Sequence, residues 1–239
     1  MDDDLDQLLQ SLKLPRIREV LDDHLARATA AGPAYSDFLR QLLREELHAQ
    51  QVRFLEGRIE RAKLPERLAL ETYPWDRQLT APKAQILQLA ALDFLADGTN
   101  AVFVGPTGVG KTGFASGILL KALLAGRRGL FVLAQELFDD MYASLADHST
   151  RKLLTRLGRV ELLVIDEMGY LNLRPEQSNI FFKLMEERYR NRASTIITTN
   201  LEYEEWAAFL GQKAMVAALL DRLRHRCVTI RVDGVSLRA

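Results

Sequence analysis

Residues 100–112 read Asn-Ala-Val-Phe-Val-Gly-Pro-Thr-Gly-Val-Gly-Lys-Thr, and they leave the chain few folds to choose from. A short apolar run, Ala101 to Val104, enters a glycine-rich turn, and a helical pattern leaves it. The turn fits G-x-x-x-x-G-K-[ST], with Gly105, Gly110, Lys111 and Thr112 at the fixed positions. Chemistry explains the spacing. Glycines let the backbone curl so that N–H groups converge on phosphate oxygens at a helix N-terminus. The expected phosphate site is therefore the whole turn with the helix start: Gly105, Pro106, Thr107, Gly108, Val109, Gly110, Lys111, Thr112 and Gly113. Lys111 is expected to reach the β- and γ-phosphates of ATP, and the Thr112 hydroxyl to ligate Mg²⁺. Such turns also join strands to helices without a ligand, but the Gly-Lys-Thr ending between strand and helix argues against that here.

The second signal is Leu162-Leu163-Val164-Ile165-Asp166-Glu167. Four apolar residues bury a strand and deliver two carboxylates at its carboxyl end. Asp166 is expected to hold the metal, and Glu167 to polarise a water for attack on the γ-phosphate. One carboxylate is enough for metal; the second matters for hydrolysis, since a kinase brings its own acceptor. Asn200, closing the apolar run Ser194 to Thr199, reads alone as a turn former. On a strand lying between the phosphate turn and the Asp-Glu strand, it would instead orient the attacking water.

From residue 100 apolar strands alternate with helices. Strands are expected at 101–104, 129–134, 161–167, 194–200 and 227–232, with helical material at 111–125, 135–158, 176–191 and 203–226. That order means a five-stranded parallel sheet covered on both faces, with ligands beyond the carboxyl ends of the strands. Upstream, the periodicity over 81–95 predicts a helix stopped by Asp97-Gly98. Trp75 reads as a packing residue, stacking on adenine being the other reading. Residues 1–67 carry no strand signal and are expected to form a small helical domain, with 68–239 the α/β domain. The charges of 1–67 balance, as on a solvated face, and contact with a partner or with DNA is its other reading.

These motifs resemble an AAA+ ATPase of the initiator and helicase-loader branch. The resemblance is carried by the Gly105–Thr112 turn, Asp166-Glu167, Ile196-Ile197-Thr198-Thr199-Asn200-Leu201 and Asp221-Arg222-Leu223. The flanking pieces Lys13-Leu14-Pro15, Arg61-Ala62-Lys63-Leu64-Pro65, Asp93-Phe94-Leu95 and Gly234-Val235-Ser236-Leu237-Arg238 are similar to IstB, the transposition helper of bacterial insertion sequences. The resemblance implies a three-layer AAA+ sandwich after a helical N-terminal domain. It also implies an ATPase that forms homo-oligomers on duplex target DNA and recruits or stimulates a transposase. A DnaC-like replicative helicase loader shares much of this core and is the alternative.

In this branch an arginine of one subunit touches the γ-phosphate held by the next. Arg222 matches that element, with Arg226 one turn on as the alternative, and Arg238 is the corresponding sensor arginine. The branch also places DNA contacts on a helix after the second strand, where Arg151, Lys152 and Arg156 stand; a solvated face is the other reading. Where the family has His-Leu-Ala after the Lys-Thr pair, this chain has Gly113-Phe114-Ala115, which weakens the first helical turn.

Composition closes off other classes. Formal net charge is zero, so DNA binding must come from local patches. No apolar run is long enough to span a membrane. The acidic start is unlike a signal peptide, and a single cysteine, Cys227, sets a reducing cytoplasm as the expectation.

Overall fold

The computed structural model describes residues 3–73, 75, 82–211 and 213–234, without the side chains of 213–215 and 222–224. By compactness the chain divides into two units, Met1–Gly57 and Arg58–Ala239. This boundary falls earlier in the chain than the expected 67/68.

The first unit is helical, built from α1 (Asp3–Ser11), α2 (Pro15–Ala31) and α3 (Tyr35–Arg61) up to the boundary. Leu9, Ile17, Leu21 and Leu42 form its small core, with Leu14, Val20 and Phe38 packed against them. Pro15 opens α2 at the position where a missing N–H costs least. The next two amides, Arg16 and Ile17, donate to Glu46 Oε2 at 2.7 and 2.9 Å. A carboxylate on α3 thus caps α2 from another helix, satisfying N–H groups that a helix start leaves unpaired. Arg53 donates to the other oxygen at 2.8 Å. Burial by itself would raise the Glu46 pKa, but the two amides and the guanidinium outweigh it and hold the carboxyl below its ordinary value.

The second unit runs through a 3₁₀ turn (Leu70–Thr72), α4 (Lys83–Ala90), α5 (Phe94–Asp97), β1 (Asn100–Val104), α6 (Lys111–Leu124) and β2 (Gly129–Leu133). It continues with α7 (Ala134–Ala146), α8 (Thr150–Gly158), β3 (Leu162–Met168), α9 (Pro175–Arg190), β4 (Ser194–Thr199), α10 (Trp206–Leu210), α11 (Lys213–His225) and β5 (Cys227–Arg231). The residues just after Gly57 belong here for a physical reason. Arg58 donates to the Leu123 carbonyl at 2.9 Å, the Phe131 amide donates to the Ala62 carbonyl at 2.8 Å, and Leu70 is buried beside α6.

The five strands are all parallel, in the order β2-β3-β4-β1-β5. Alternation along each strand sorts the core into two layers. Val102, Val104, Leu163, Ile165 and Ile197 join the cluster built on α7 to α11. Phe103, of the opposite parity, meets Phe114 of α6. Buried Arg188 ties three elements together on the α9 side: it donates to Thr195 Oγ1 at 2.9 Å and to the Leu157 and Val160 carbonyls at 2.6 and 2.9 Å. Burial pushes its pKa down to about 9.

The helix expected over 81–95 is broken in two among the described residues. Leu92 adopts φ 70°, in the left-handed region, which ends α4 before the short α5 begins. The run expected over 135–158 likewise divides into α7 and α8. Between them His148 stands at φ 57°, and the Asp147 carboxylate accepts from the Ser149 amide at 3.0 Å.

Candidate functional site

β1 ends at Val104, and the chain turns sharply at Gly105. A Cβ there would lie 2.0 Å from the Val232 carbonyl oxygen, so only glycine fits. The turn closes at Gly110, which caps α6. Lys111 folds back over the loop, donating to the Gly105 and Pro106 carbonyls, both at 2.7 Å. The loop therefore holds the ammonium against its own backbone.

The Thr112 hydroxyl is 3.0 and 2.9 Å from the two carboxylate oxygens of Asp166. Asp166 is 2% exposed and receives a second hydroxyl hydrogen bond, from Thr198. The same Thr198 oxygen accepts from the Glu167 amide at 3.0 Å. Thr198 was quoted in the sequence only as part of a strand, yet it fixes both acidic residues. Its neighbour Thr199 binds the Met168 carbonyl through its hydroxyl at 2.7 Å, while its own carbonyl accepts from the Gly105 amide at 3.2 Å. Two threonines ending an apolar strand were the available signal.

Alternation along a regular strand would send Glu167 to the face opposite Asp166. The β3–β4 register instead shifts between Ile165 and Met168, and Glu167 takes φ 61°. A left-handed non-glycine residue costs about 1–2 kcal/mol. The bulge turns Glu167 into the same cavity as Lys111, Thr112, Thr198 and Asn200, a space of about 540 Å³. The Tyr170 and Thr107 hydroxyls, 2.6 Å apart, join the loop after β3 to the phosphate turn. β4, carrying Asn200 at its end, lies between β1 and β3.

The donor set suits Mg²⁺. One buried carboxylate and one hydroxyl are hard oxygen ligands, and this ion is ordinarily completed by substrate phosphates and water. Among the described residues no group of three His, Cys, Asp or Glu could hold a metal by itself.

Gly113, expected to weaken the first turn of α6, has a packing reason. A Cβ there would stand 3.2 Å from Leu68 Cδ2, and one at Gly117 would stand 2.7 Å from Leu70. The pair lets the segment before the 3₁₀ turn cross close over α6. Trp75 packs: its ring is parallel to Phe114, centroids 5.6 Å apart, and its indole N–H donates to the Leu70 carbonyl at 3.2 Å.

Arg151, Lys152 and Arg156 lie exposed on α8, whose Leu153, Leu154 and Leu157 are buried. Arg156 stands 3.7 Å from Asp140. Arg226 immediately precedes β5, at the sheet edge opposite the phosphate turn, 5.8 Å from the Tyr189 ring centre. Arg222 is in α11 with its side chain outside the described residues, and Arg238 lies outside them altogether. No helix among the described residues is long and apolar enough to cross a membrane.

A parallel sheet with the phosphate turn after β1, the acidic strand β3 and β4 between them is the AAA+ fold of the P-loop class. The crystal structure of the DnaC helicase loader matches it with a TM-score of 0.57 at 24% identity, over 69% of this chain and 96% of that one, a likeness of fold. More specifically, the chain belongs to the family described as IstB-like ATP binding protein, which matches residues 7–239. A protein of insertion sequence IS21 from Pseudomonas aeruginosa, named for ATP binding, is 31% identical over 98% of this chain and 88% of its own length. A counterpart in IS5376 of Geobacillus stearothermophilus is 31% identical over 95% of this chain and 90% of its own.

Proposed function

We propose that this protein is a Mg²⁺-dependent ATPase that assembles on duplex target DNA and recruits or stimulates the transposase of its insertion sequence. The observation that carries the hydrolytic step is the bulge at Glu167. It sets a second, exposed carboxylate beside Asn200 in the cavity of the phosphate turn. Glu167 polarises the water, Asn200 orients it, and Lys111 exchanges its loop carbonyls for phosphate oxygens. Thr112 and Asp166 would hold Mg²⁺, and the ion would supply positive charge against the phosphates.

In the assembly Arg222, with Arg226 as the alternative, serves a neighbour's nucleotide, and Arg238 serves the nucleotide of its own subunit. The place of Arg226, at the sheet edge opposite its own phosphate turn, is consistent with such a role. Arg151, Lys152 and Arg156 give α8 a basic outer face, and repeating a small patch around an oligomer multiplies its pull on DNA. The helical region 1–67 meets the transposase. Leu39, Leu43 and Leu47, four residues apart on α3, stay outside that unit's core. The insertion-sequence names of the relatives support the biological setting.

In the decisive experiment, the full chain turns over ATP with no added acceptor, and duplex DNA raises the rate. Glu167→Gln retains ATP, loses about 10²–10³-fold in turnover and accumulates an ATP-bound oligomer by light scattering. Parental turnover in that variant removes Glu167 as the catalytic group. Lys152→Glu combined with Arg156→Glu weakens duplex binding at low salt; unchanged anisotropy removes α8. Co-purification of a replicative helicase in place of the transposase would replace this reading with that of a loader.

A further inference from the structure

Tyr170 has no part in the chemistry set out above, yet it stands among the groups that perform it. It follows Glu167 in the loop after β3 and lines the cavity with Lys111, Thr112, Glu167 and Asn200. Gly169 puts it there. At φ 119°, a Cβ on that residue would lie 2.6 Å from Leu201 Cγ and 2.9 Å from Asn200 Oδ1. Glycine thus lets the loop cross tightly over the end of β4, beside Asn200. Tyr170 is 54% exposed, and its hydroxyl lies 2.6 Å from Thr107 Oγ1. Thr107 belongs to the first half of the phosphate turn, where Lys111 rests on the Gly105 and Pro106 carbonyls. Lysine in such a turn reaches the β- and γ-phosphates, while the turn amides cradle the α- and β-phosphates. Glu167 and Asn200 act on the water that attacks the γ-phosphate, so the part of the cavity they share with Tyr170 is its γ end. Thr107, Tyr170 and Asn200 also line a second hollow of about 440 Å³, together with Glu202 and Arg231. The phenol therefore has open space beside its bond to Thr107, and room to turn.

We propose that Tyr170 tells a triphosphate from a diphosphate: its hydroxyl leaves Thr107 and donates to an oxygen of the terminal phosphate, and Thr107 donates to the same group. The inference rests on the assignment of this cavity to ATP. Each hydroxyl carries one proton, and their mutual bond uses only one of the pair. Both protons are used at once when a third group accepts twice, as a phosphate with several oxygens does. Lys111 cannot make the distinction alone, because its ammonium finds the β-phosphate in either nucleotide. A bond from a phenol to phosphate has a charged acceptor, and such bonds are the stronger kind. Its gain is present only while the γ-phosphate is. After hydrolysis the two hydroxyls return to each other, and the loop from Gly169 towards α9 is held to the phosphate turn by a neutral bond again.

The test uses the full chain and an ATP analogue with a methylene group in place of the β,γ-bridging oxygen, so that no turnover occurs during titration. Its affinity and that of ADP, both with Mg²⁺, are measured by calorimetry for the parent and for Tyr170→Phe, with Tm as the control for folding. Removing the phenol oxygen is expected to weaken the analogue about tenfold and to leave ADP unchanged. Phosphorus NMR of the bound analogue reads the contact directly: the γ resonance is expected to move between parent and variant while the α resonance stays in place. Thr107→Val carries the same test from the other hydroxyl, with the same selective loss expected, and decides alone should Tyr170→Phe fold poorly. A variant that weakens both nucleotides alike overturns the proposal, since the hydroxyls would then only brace the turn. Parental affinities in Tyr170→Phe overturn it too, and make its bond to Thr107 a surface contact only. A parent that binds neither nucleotide, matching Lys111→Ala, overturns the assignment of the cavity and this inference with it.

Discussion

Each unit of this chain buries a carboxylate, and the two are treated in opposite ways. Glu46 in the helical unit is 5% exposed; its oxygens take the Arg16 and Ile17 amides and the Arg53 guanidinium. Asp166 in the α/β unit is 2% exposed, and its hydrogen-bond partners among the described residues are the Thr112 and Thr198 hydroxyls. Two amides at a helix start and a guanidinium carry positive charge, whole or partial, to the first group. Two hydroxyls bring none to the second. The Glu46 charge is thus matched inside its own unit, while that of Asp166, met only by hydroxyls among its hydrogen-bond partners in the described residues, is left to attract a cation. One acid holds two helices together; the other is a receptor.

Substituting both acids breaks this comparison most sharply. Asp166→Asn is expected to cut Mg²⁺-dependent ATP turnover by about 10²–10³-fold with the Tm unchanged or raised. Glu46→Ala is expected to leave the ATPase rate of the folded protein intact and to destabilise the helical unit by about 2 kcal/mol. Hydrogen exchange at the Arg16 and Ile17 amides reads the second effect, and steady-state turnover the first. If Asp166→Asn unfolds the α/β unit while turnover per folded molecule persists, both carboxylates are structural and the contrast fails.

The same contrast marks what was legible in the sequence. The phosphate turn and the Asp166-Glu167 pair were readable because each is local: a fixed spacing of glycines, and acids at the end of one apolar run. Five parallel strands followed from five apolar runs alternating with helical patterns, whereas their order is not written in any one of those runs. The Glu46 cap was not readable, because it joins α3 to the start of α2 and no periodicity within either helix encodes the pairing. Thr198 was hidden for a related reason. Its hydroxyl matters only once β4 lies beside β3 in one register, with the bulge between Ile165 and Met168. The break at Leu92 went against its residue type, since a leucine at φ 70° is set by tertiary packing and not by local preference.

Thr198 offers a finer cut through the comparison, because its one hydroxyl serves both Asp166 and the Glu167 amide. Thr198→Val keeps the shape and removes the hydroxyl. Turnover is expected to fall about tenfold, which corresponds to about 1.4 kcal/mol, as Glu167 and Asp166 lose their shared anchor. Thr198→Ser, which restores the oxygen, is expected to recover most of the rate. A serine variant as slow as valine would mean that the side-chain methyl, through packing, sets the geometry.

The smallest effect comes from pH and concerns the helical unit alone. The Glu46 carboxyl is held below its ordinary value of 4.5 in the folded chain, so the folded state binds fewer protons than the unfolded one in acid. Its contribution to stability is therefore complete above the unfolded pKa and is lost as pH falls through the folded one. Protonation removes less than Glu46→Ala does, because the neutral acid still presents an acceptor to the α2 amides. Protection of the Arg16 and Ile17 amides, corrected for intrinsic exchange and followed from pH 6 to pH 3, is expected to drop in the parent. In Glu46→Gln it should stay level until general acid unfolding sets in. Parallel curves for the two proteins would show that the charge on Glu46 does not hold α2, and that its oxygen, charged or neutral, is all the helix start requires.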